Sequence, residues 1–310
     1  MALPNELYPV LETDLGVSIR HAVRVRGGMV SQAAKVVTTG GHIFVKWKAD
    51  AAPPIPEQGD VARVPGMFES EADGLRRLAA TGTLRLPEVL GFADRASDDD
   101  DAIPYLALEW IEPAEPDNVR AFTRNFAGGL AKLHSATSTS GGHYGLDHDN
   151  YLGRRRQSNR WTASWPDFYR DQRIVPMIDL ARQKGRLDSG RERRLNGLAE
   201  RVGDLLTHDE PPCLIHGDLW SGNFLSAGDQ PVILDPAVYY ANREVELAYI
   251  QLFGGFPGGF MDAYSHECPL DPGYSDRRPL LQLYPLLVHL ISFGEDYGLA
   301  VDAVCRRYLA

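Results

Sequence analysis

The sequence contains little cysteine, no long apolar run and no excess of basic residues. Its 310 residues include three cysteines, Cys213, Cys268 and Cys305, which are too few and too scattered for a disulfide framework or a Cys-x-x-Cys metal site. We therefore expect free, buried thiols. No run of about 18 apolar residues is present, so the sequence predicts no membrane-spanning helix. Residues 1–16 include acidic side chains and no apolar core, which predicts a cytoplasmic protein without a signal peptide or a membrane partner.

The balance of charge excludes a further class of partner. The chain has 42 acidic and 32 basic residues and a net charge of -10, which argues against a nucleic-acid-binding surface but allows a local basic pocket. With 44% hydrophobic and 24% charged residues, the chain is predicted to be globular. Its length suffices for two domains or one two-lobed unit.

Polar residues stand at the ends of two short apolar runs within residues 213–240. Asp218 follows the first run, Asn223 comes five residues after Asp218, and Asp235 ends the second run. Phosphoryl-transfer enzymes use such a set to orient an attacking hydroxyl and to hold magnesium against nucleotide phosphates. Singly, each residue would be an ordinary turn or cap residue, but the joint spacing favours a phosphotransferase. We predict Asp218 as the catalytic residue and Asn223 and Asp235 as the metal ligands.

An antiparallel meander is predicted near the N-terminus, after a short helix over residues 5–16. Three strand-like segments are separated by glycine-containing turns: 19–26, 33–38 and 42–48. The first turn contains Gly27 and Gly28, which would let backbone N–H groups approach phosphates closely. A Gly-Gly pair outside the G-x-G-x-x-G pattern is more often a simple turn. Gly27 and Gly28 are therefore candidate nucleotide-binding residues only in combination with the residues that follow.

A lysine and a glutamate on consecutive elements extend the predicted nucleotide site. In the third strand, the period of two places Lys46 on the face opposite the apolar residues. In the helix predicted over residues 68–80, Glu71 falls inside the apolar stripe, and a buried carboxylate needs a cationic partner. Kinases pair a strand lysine with a glutamate of the following helix to hold the lysine against the α- and β-phosphates. We predict this pair; in the alternative, Glu71 reaches an arginine such as Arg76.

The chain then crosses to a second lobe. Two more strand-like segments complete the first lobe: 84–92 and 104–111. Glu112-Pro113 interrupts the pattern, so we predict a nucleotide-binding lobe over residues 1–111 and a helical lobe with the catalytic and metal-binding loops over residues 112–310. Glu109 and Ile111 lie at the predicted hinge, where backbone groups are expected to hydrogen-bond an adenine edge.

The second lobe is predicted to be mainly helical. Apolar residues at helical spacing predict four helices: 117–134, 165–184, 189–206 and 244–253. Asp117 is the predicted N-cap of the first of these helices. Residues 141–165 are predicted to form a loop in which Arg154-Arg155-Arg156 is exposed to solvent. Trp161 and Trp165 fit either helix packing or one wall of a sugar site, and packing is favoured for Trp165.

The order of these features resembles the kinase-like fold of aminoglycoside and choline phosphotransferases, an α+β fold with an antiparallel-sheet N-lobe and a mainly helical C-lobe. More narrowly, five motifs resemble the fructosamine kinase (ketosamine 3-kinase) family: His216-Gly217-Asp218-Leu219-Trp220-Ser221-Gly222-Asn223, Asp235-Pro236-Ala237, Met67-Phe68-Glu69-Ser70-Glu71, Asn159-x-Trp161-x-x-x-Trp165 and Phe253-Gly254-Gly255-Phe256-Pro257. The resemblance covers nearly the whole chain. Many small-molecule kinases share H-G-D-x-x-x-x-N, whereas L-W-S-G inside this motif together with D-P-A is far more specific to the family.

This resemblance implies ATP-dependent phosphorylation of the 3-hydroxyl of ketosamines, the adducts of sugars with amines, whose 3-phosphates then decompose and release the amine. The implied cofactors are ATP and Mg²⁺, and the implied partner is a small-molecule or protein-bound ketosamine. By motif position, Lys46 resembles the phosphate-binding lysine and Glu71 its anchor. Trp220 is implied to border the sugar, and Trp161 is a second candidate for the sugar wall. Two alternatives remain: a phosphotransferase acting on an aminoglycoside, choline or a similar alcohol, and a non-catalytic kinase-like binding module.

Overall fold

The N-terminal part of the chain forms an antiparallel sheet with a helix on each face. The computed structural model describes residues 2–25, 31–52, 64–94, 102–136, 139–208 and 210–309. The elements of this part are α1 (Leu7–Leu15), β1 (Ile19–Val25), β2 (Gln32–Thr38), β3 (Gly41–Trp47), α2 (Met67–Ala80), β4 (Val89–Ala93) and β5 (Tyr105–Glu109). The five strands lie in the order β1-β2-β3-β5-β4, and every pair is antiparallel. The predicted meander is confirmed.

Alternation along the strands divides their side chains between two cores. Val45 and Trp47 are buried with α1 on one face of the sheet. Leu106 on the other face belongs to the main core, together with Phe68 of α2. Because successive side chains of a strand point to opposite faces, Lys46 lies on the α2 side. The sheet thereby directs this lysine toward Asp235 of the C-terminal part.

The C-terminal part is mainly helical, with short antiparallel strand pairs between its helices. Its elements are α3 (Val119–Ser135), β6 (Asn150–Leu152), β7 (Arg155–Gln157), α4 (Trp165–Tyr169), a π-helical turn (Arg170–Ile174), α5 (Val175–Gln183), α6 (Ser189–Glu200), α7 (Val202–Leu205), β8 (Cys213–Ile215), β9 (Phe224–Ala227), β10 (Gln230–Ile233), β11 (Tyr239–Ala241), α8 (Glu244–Phe253), α9 (Phe260–Glu267), α10 (Tyr274–Leu281), α11 (Leu283–Phe293), a 3₁₀ turn (Glu295–Tyr297) and α12 (Gly298–Leu309). The strand pairs are β6–β7, β8–β11 and β9–β10. Two of them carry the predicted catalytic and metal-binding residues.

Several local predictions need correction. Asn118, rather than Asp117, caps α3, because Asn118 is extended and its side chain accepts a hydrogen bond from Ala121 N at 3.0 Å. The strand predicted over residues 84–92 begins only at Val89, since the preceding segment leaves the sheet to contact β10 through Arg85. The helix predicted over residues 165–184 is interrupted by the π-helical turn.

The predicted loop over residues 141–165 contains the β6–β7 hairpin, which buried amides hold in place. Asn150 Nδ2 donates to Val238 O at 2.7 Å, and Gln157 Nε2 donates to Asn150 Oδ1 at 2.9 Å. Tyr284 OH of α11 donates to Gln157 Oε1 at 3.0 Å. Two of these bonds join residues 88 and 127 positions apart in sequence, so alternation over three-residue strands could not reveal them.

The expectations based on absences can be checked within the described residues. Cys213 and Cys305 are free and buried, whereas Cys268 is free but only partly buried, which corrects the expectation for that residue. None of the helices in the described ranges is both long and apolar enough to cross a bilayer. The cytoplasmic location stays a prediction.

Candidate active site

A lysine lies between two carboxylates where the sheet faces α2 and the end of β10. Lys46 Nζ contacts Glu71 Oε2 and lies 3.1 Å from Asp235 Oδ1. The predicted ion pair is therefore present, and the guanidinium of Arg76 lies instead over the ring of Phe92. Burial alone would lower the pKa of Lys46, but the negative charges of Asp235 and Glu71 outweigh burial and raise it above its ordinary value. The lysine is thus a fixed positive charge.

Asp235 follows β10 in an unusual backbone conformation. Its φ is 53°, and no other non-glycine residue in the described part of the chain has a positive φ. Aspartate tolerates this left-handed region better than most residues with a Cβ. The bend is held on both sides, because Leu234 N donates to Asn223 O at 2.9 Å and Ala237 N donates to His216 O at 2.8 Å. The carboxylate of Asp235 is therefore tied to the loop that carries Asp218.

Asp218 projects from a tightly packed turn after β8. The preceding Gly217 has a φ of +82°, and a Cβ there would lie 2.1 Å from Ala237 O, so only glycine fits. The carboxylate of Asp218 accepts hydrogen bonds from Tyr249 OH and, at 3.1 Å, from Asn223 Nδ2. Burial raises the pKa of Asp218 to about 7 despite these bonds. A carboxyl group that titrates near neutrality is suited to accepting a proton from a substrate.

The orientation of Asn223 suits a metal ligand. Its Nδ2 donates to Asp218 O at 2.8 Å as well as to the Asp218 carboxylate, which leaves Oδ1 as the acceptor available to a cation. Among the described residues, no group of three or more His, Cys, Asp or Glu could hold a metal by itself. Magnesium usually takes only one or two protein carboxylates and keeps waters or phosphate oxygens as its other ligands. The oxygens of Asn223 and Asp235 fit an ion of this kind that is shared with a nucleotide.

Glu246 of α8 is a site residue that the sequence analysis missed. It is 2% exposed and accepts backbone N–H bonds from His216 at 3.2 Å and from Gly217 at 2.8 Å. His134 of α3 donates a third bond to the same carboxylate at 2.9 Å. Burial would raise the pKa of Glu246, but His134 and these N–H groups lower it below its ordinary value. This ionised carboxylate holds the backbone immediately before Asp218. The sequence feature that could have identified Glu246 is the presence of two glutamates in an otherwise mainly apolar predicted helix.

The N-terminal and C-terminal parts of the chain both line one cavity of about 1070 Å³. Lys46, Asp218, Asn223 and Asp235 all line it. A group of aromatic side chains from α8, α11 and the 3₁₀ turn, which we call the aromatic wall, lines it as well: Tyr249, Phe253, His289, Phe293 and Tyr297. The cavity therefore offers a charged part suited to phosphates and an amphipathic part suited to a sugar adduct.

The two predicted sugar-wall tryptophans have different locations. Trp220 lines the cavity, and its ring covers Gly222, where a Cβ would lie 2.3 Å from the ring. Trp161 does not line the cavity; the residue is 40% exposed, and its ring lies 6.0 Å from that of Tyr240. The structure therefore brings Trp220 together with Asp218 but leaves Trp161 elsewhere. Trp165 is buried among aromatic rings, as packing predicts.

The remaining predicted nucleotide contacts would be made by backbone groups of the hinge and of the Gly-Gly turn. Glu109 ends β5 and its N–H donates to Glu88 O at 2.8 Å, so an adenine edge would have to use its carbonyl or the backbone of Ile111. Neither residue lines the cavity, and their adenine contacts stay a prediction. Gly27 and Gly28 fall outside the described residues.

Comparisons with known proteins agree over almost the whole chain. The family model described as fructosamine kinase matches residues 8–310. A probable ketoamine kinase of Enterococcus faecium is 38% identical over 291 residues, which cover 92% of this chain and 94% of that protein. The chloroplastic protein-ribulosamine 3-kinase of Arabidopsis thaliana is 33% identical over 288 residues, which cover 92% of this chain and 81% of that protein.

Solved structures place the fold in the same group. The crystal structure of a candidate fructosamine-3-kinase from Thermobifida fusca matches 99% of both chains with a TM-score of 0.83 and 31% identity. A thermostable mutant of aminoglycoside phosphotransferase APH(4)-Ia, in a ternary complex with AMP-PNP and hygromycin B, matches 98% of this chain and 99% of that chain with a TM-score of 0.65. Its 16% identity supports the fold alone. The predicted α+β fold is confirmed.

Proposed function

The chain belongs to the fructosamine kinase family, and from that membership we infer that it is an ATP-dependent ketosamine 3-kinase. It transfers a phosphoryl group to the 3-hydroxyl of the sugar part of a ketosamine. The phosphorylated adduct then decomposes and releases the amine, which makes the activity a deglycation. Kinase chemistry of this kind uses ATP as the phosphoryl donor.

The observation that carries the proposal is the placement of Asp218 in one cavity with Lys46 and the aromatic wall. A donor nucleotide near Lys46 and an acceptor against the aromatic wall would both reach the carboxylate of Asp218. Such a shared position is what phosphoryl transfer needs, because the protein contributes mainly positioning and charge stabilisation.

Each residue then has a defined role. The 3-hydroxyl oxygen forms a bond to the γ-phosphorus while the bond to the β-phosphate oxygen breaks, and Asp218 accepts or orients the hydroxyl proton. Lys46, held by Glu71, binds the α- and β-phosphates. Asn223 and Asp235 would hold Mg²⁺, which neutralises phosphate charge when bound. Trp220 borders the sugar.

The test is a substrate screen with a base-deficient variant. Wild-type protein is assayed for ADP formation and for ketosamine 3-phosphate with ribulosamines, fructosamines, choline and aminoglycosides. We expect turnover of ketosamines only; phosphorylation of an aminoglycoside or choline without turnover of any ketosamine would reject the proposal. Asp218→Asn keeps the shape but loses the charge, and a positioned base contributes about 10²- to 10⁴-fold, so kcat falls by that factor while ATP binding changes little. Near-wild-type kcat in the folded variant would reject the role of Asp218.

A further inference from the structure

Three consecutive arginines on the β6–β7 hairpin differ in what neutralises them. Arg154 forms an ion pair with Asp50 at 2.5 Å, and Arg156 forms one with an aspartate at 2.9 Å. Arg155 has no carboxylate partner among the described residues. Its Nη2 donates to the hydroxyl of Ser292 at the end of α11, at 3.0 Å. The middle arginine is therefore a cation held by a neutral group.

Arg155 faces the cavity that contains Asp218. Alternation along β7 places Arg155 and Arg156 on opposite sides of the strand. Arg155 and Ser292 line the cavity, as does the ion-paired Arg154, whereas Arg156 does not. Arg155 is half-buried, and burial lowers its pKa, yet a guanidinium remains charged at neutral pH. A partly desolvated cation without a counter-ion favours the entry of an anion.

The platform beneath Arg155 is rigid. Its strand neighbour Gln157 is buried and is hydrogen-bonded on one side to Asn150 and on the other to Tyr284 of α11. The bond from Arg155 to Ser292 adds a second link between the hairpin and α11. A binding group on a fixed element loses little conformational entropy when a ligand arrives, so the guanidinium is preorganised.

We propose that Arg155 recognises an anionic group on the ketosamine, either a carboxylate on its amine part or a phosphate on its sugar part. The inference rests on the proposed function and names the substrate class of that site. A guanidinium presents five N–H donors in a planar fork that matches a carboxylate or a phosphate bidentately. With Nη2 bound to Ser292, the other donors can meet the ligand.

The same region carries a charge of opposite sign. Asp296, in the 3₁₀ turn after α11, lines the cavity and forms no ion pair within the described ranges. A ketosamine nitrogen is a secondary amine and is protonated at neutral pH, so a carboxylate suits it. Arg155 and Asp296 together match a ketosamine formed from an α-amino acid, in which the ammonium and the carboxylate are bonded to the same carbon.

Matched substrates test the proposal. We would measure kcat and KM with the ribulosamine of glycine, that of glycinamide, and the ethylamine ribulosamine with and without a 5-phosphate. Each substrate is tested on wild type, on Arg155→Gln and on Arg156→Gln as the control from the same hairpin. A hydrogen bond to a charged group contributes roughly 10- to 100-fold, and partial exposure favours the lower end. We expect wild type to prefer an anionic substrate about tenfold in kcat/KM, mainly through KM.

The variants separate the outcomes. Arg155→Gln should abolish the preference for the anionic substrate, whereas Arg156→Gln should keep it. If the kcat/KM advantage lost in Arg155→Gln is that of the glycine adduct, the recognised group is the carboxylate; if it is that of the 5-phosphate, the recognised group is the phosphate. Equal kcat/KM for neutral and anionic substrates in wild type would overturn the proposal. An equal loss of kcat on all substrates in Arg155→Gln would also overturn it, because the arginine would then act on the nucleotide phosphates. No turnover of any ketosamine by wild type would overturn the proposed function itself.

Discussion

Removing the charge of Glu246 should disturb Asp218 without touching the substrate. Glu246→Gln keeps the side-chain shape, but only one of its two terminal atoms can still accept a hydrogen bond. The carboxylate now accepts from His216 N and His134 Nε2, which are buried, and from Gly217 N, which is partly buried. At least one of these donors would lose its acceptor and would face an NH₂ group instead.

The magnitude follows from those bonds. Each hydrogen bond to a charged group contributes about 1.5 to 3 kcal/mol, and an unsatisfied buried donor costs a similar amount. We therefore expect the free energy of unfolding to fall by roughly 2 to 4 kcal/mol. Because Gly217 precedes Asp218, the same loss loosens the catalytic carboxylate, and a displacement of about 1 Å can cost about 10² in rate. We expect kcat to fall by roughly 10- to 100-fold, with the KM for ATP little changed.

The assay pairs thermal or urea unfolding with steady-state kinetics on a ketosamine. Glu267→Gln is the control, because Glu267 is an exposed glutamate at the end of α9 and should leave both measurements unchanged. Wild-type stability and wild-type kcat in Glu246→Gln would refute the anchoring role. Lost stability with an intact kcat per folded molecule would show that Glu246 supports the fold but does not position Asp218.

Three further changes have defined outcomes. Asp235→Asn should lower kcat roughly 10²- to 10³-fold by removing a preorganised charge from the phosphate site. Wild-type turnover by this variant during a magnesium titration would contradict the prediction. Gly217→Ala should destabilise the fold by roughly 2 to 5 kcal/mol, because the Cβ would lie 2.1 Å from Ala237 O at a φ of +82°. The control Gly228→Ala has a φ of +64° but no atom within 4 Å of the added Cβ, so it should cost only about 1 kcal/mol. Equal losses of stability in the two variants would argue against the steric explanation. A hydrogen bond from His148 and the charge of Arg77 lower the pKa of Asp147, so the ionised carboxylate stabilises the fold, by less than about 1 kcal/mol because the group is partly exposed. This stabilisation is present above the unfolded-state pKa near 4 and is lost as pH falls toward the lower folded-state pKa. The difference in unfolding free energy between wild type and Asp147→Asn should therefore shrink below about pH 4, and a constant difference would contradict the assignment.

Features that depend on neighbouring residues in the chain were predictable. The period of two placed Lys46 on the correct face of β3, and the apolar stripe placed Glu71 on the buried face of α2, so their pairing followed. The helix predicted over residues 244–253 has those bounds in the structure. In each case the information lies within one element, where side-chain direction repeats every 2 or about 3.6 residues.

Tertiary structure decided which distant groups meet. Glu246 holds a loop 30 residues earlier in the chain, and Arg155 reaches Ser292 across 137 residues. The arginine triplet looked uniformly solvated in the sequence, yet Arg154 and Arg155 line the cavity, and Arg155 is held there by its hydrogen bond to α11. Local periodicity does not predict such contacts, because they form only when separate elements pack together. A buried charge is then stabilised by whichever partner the fold places beside it.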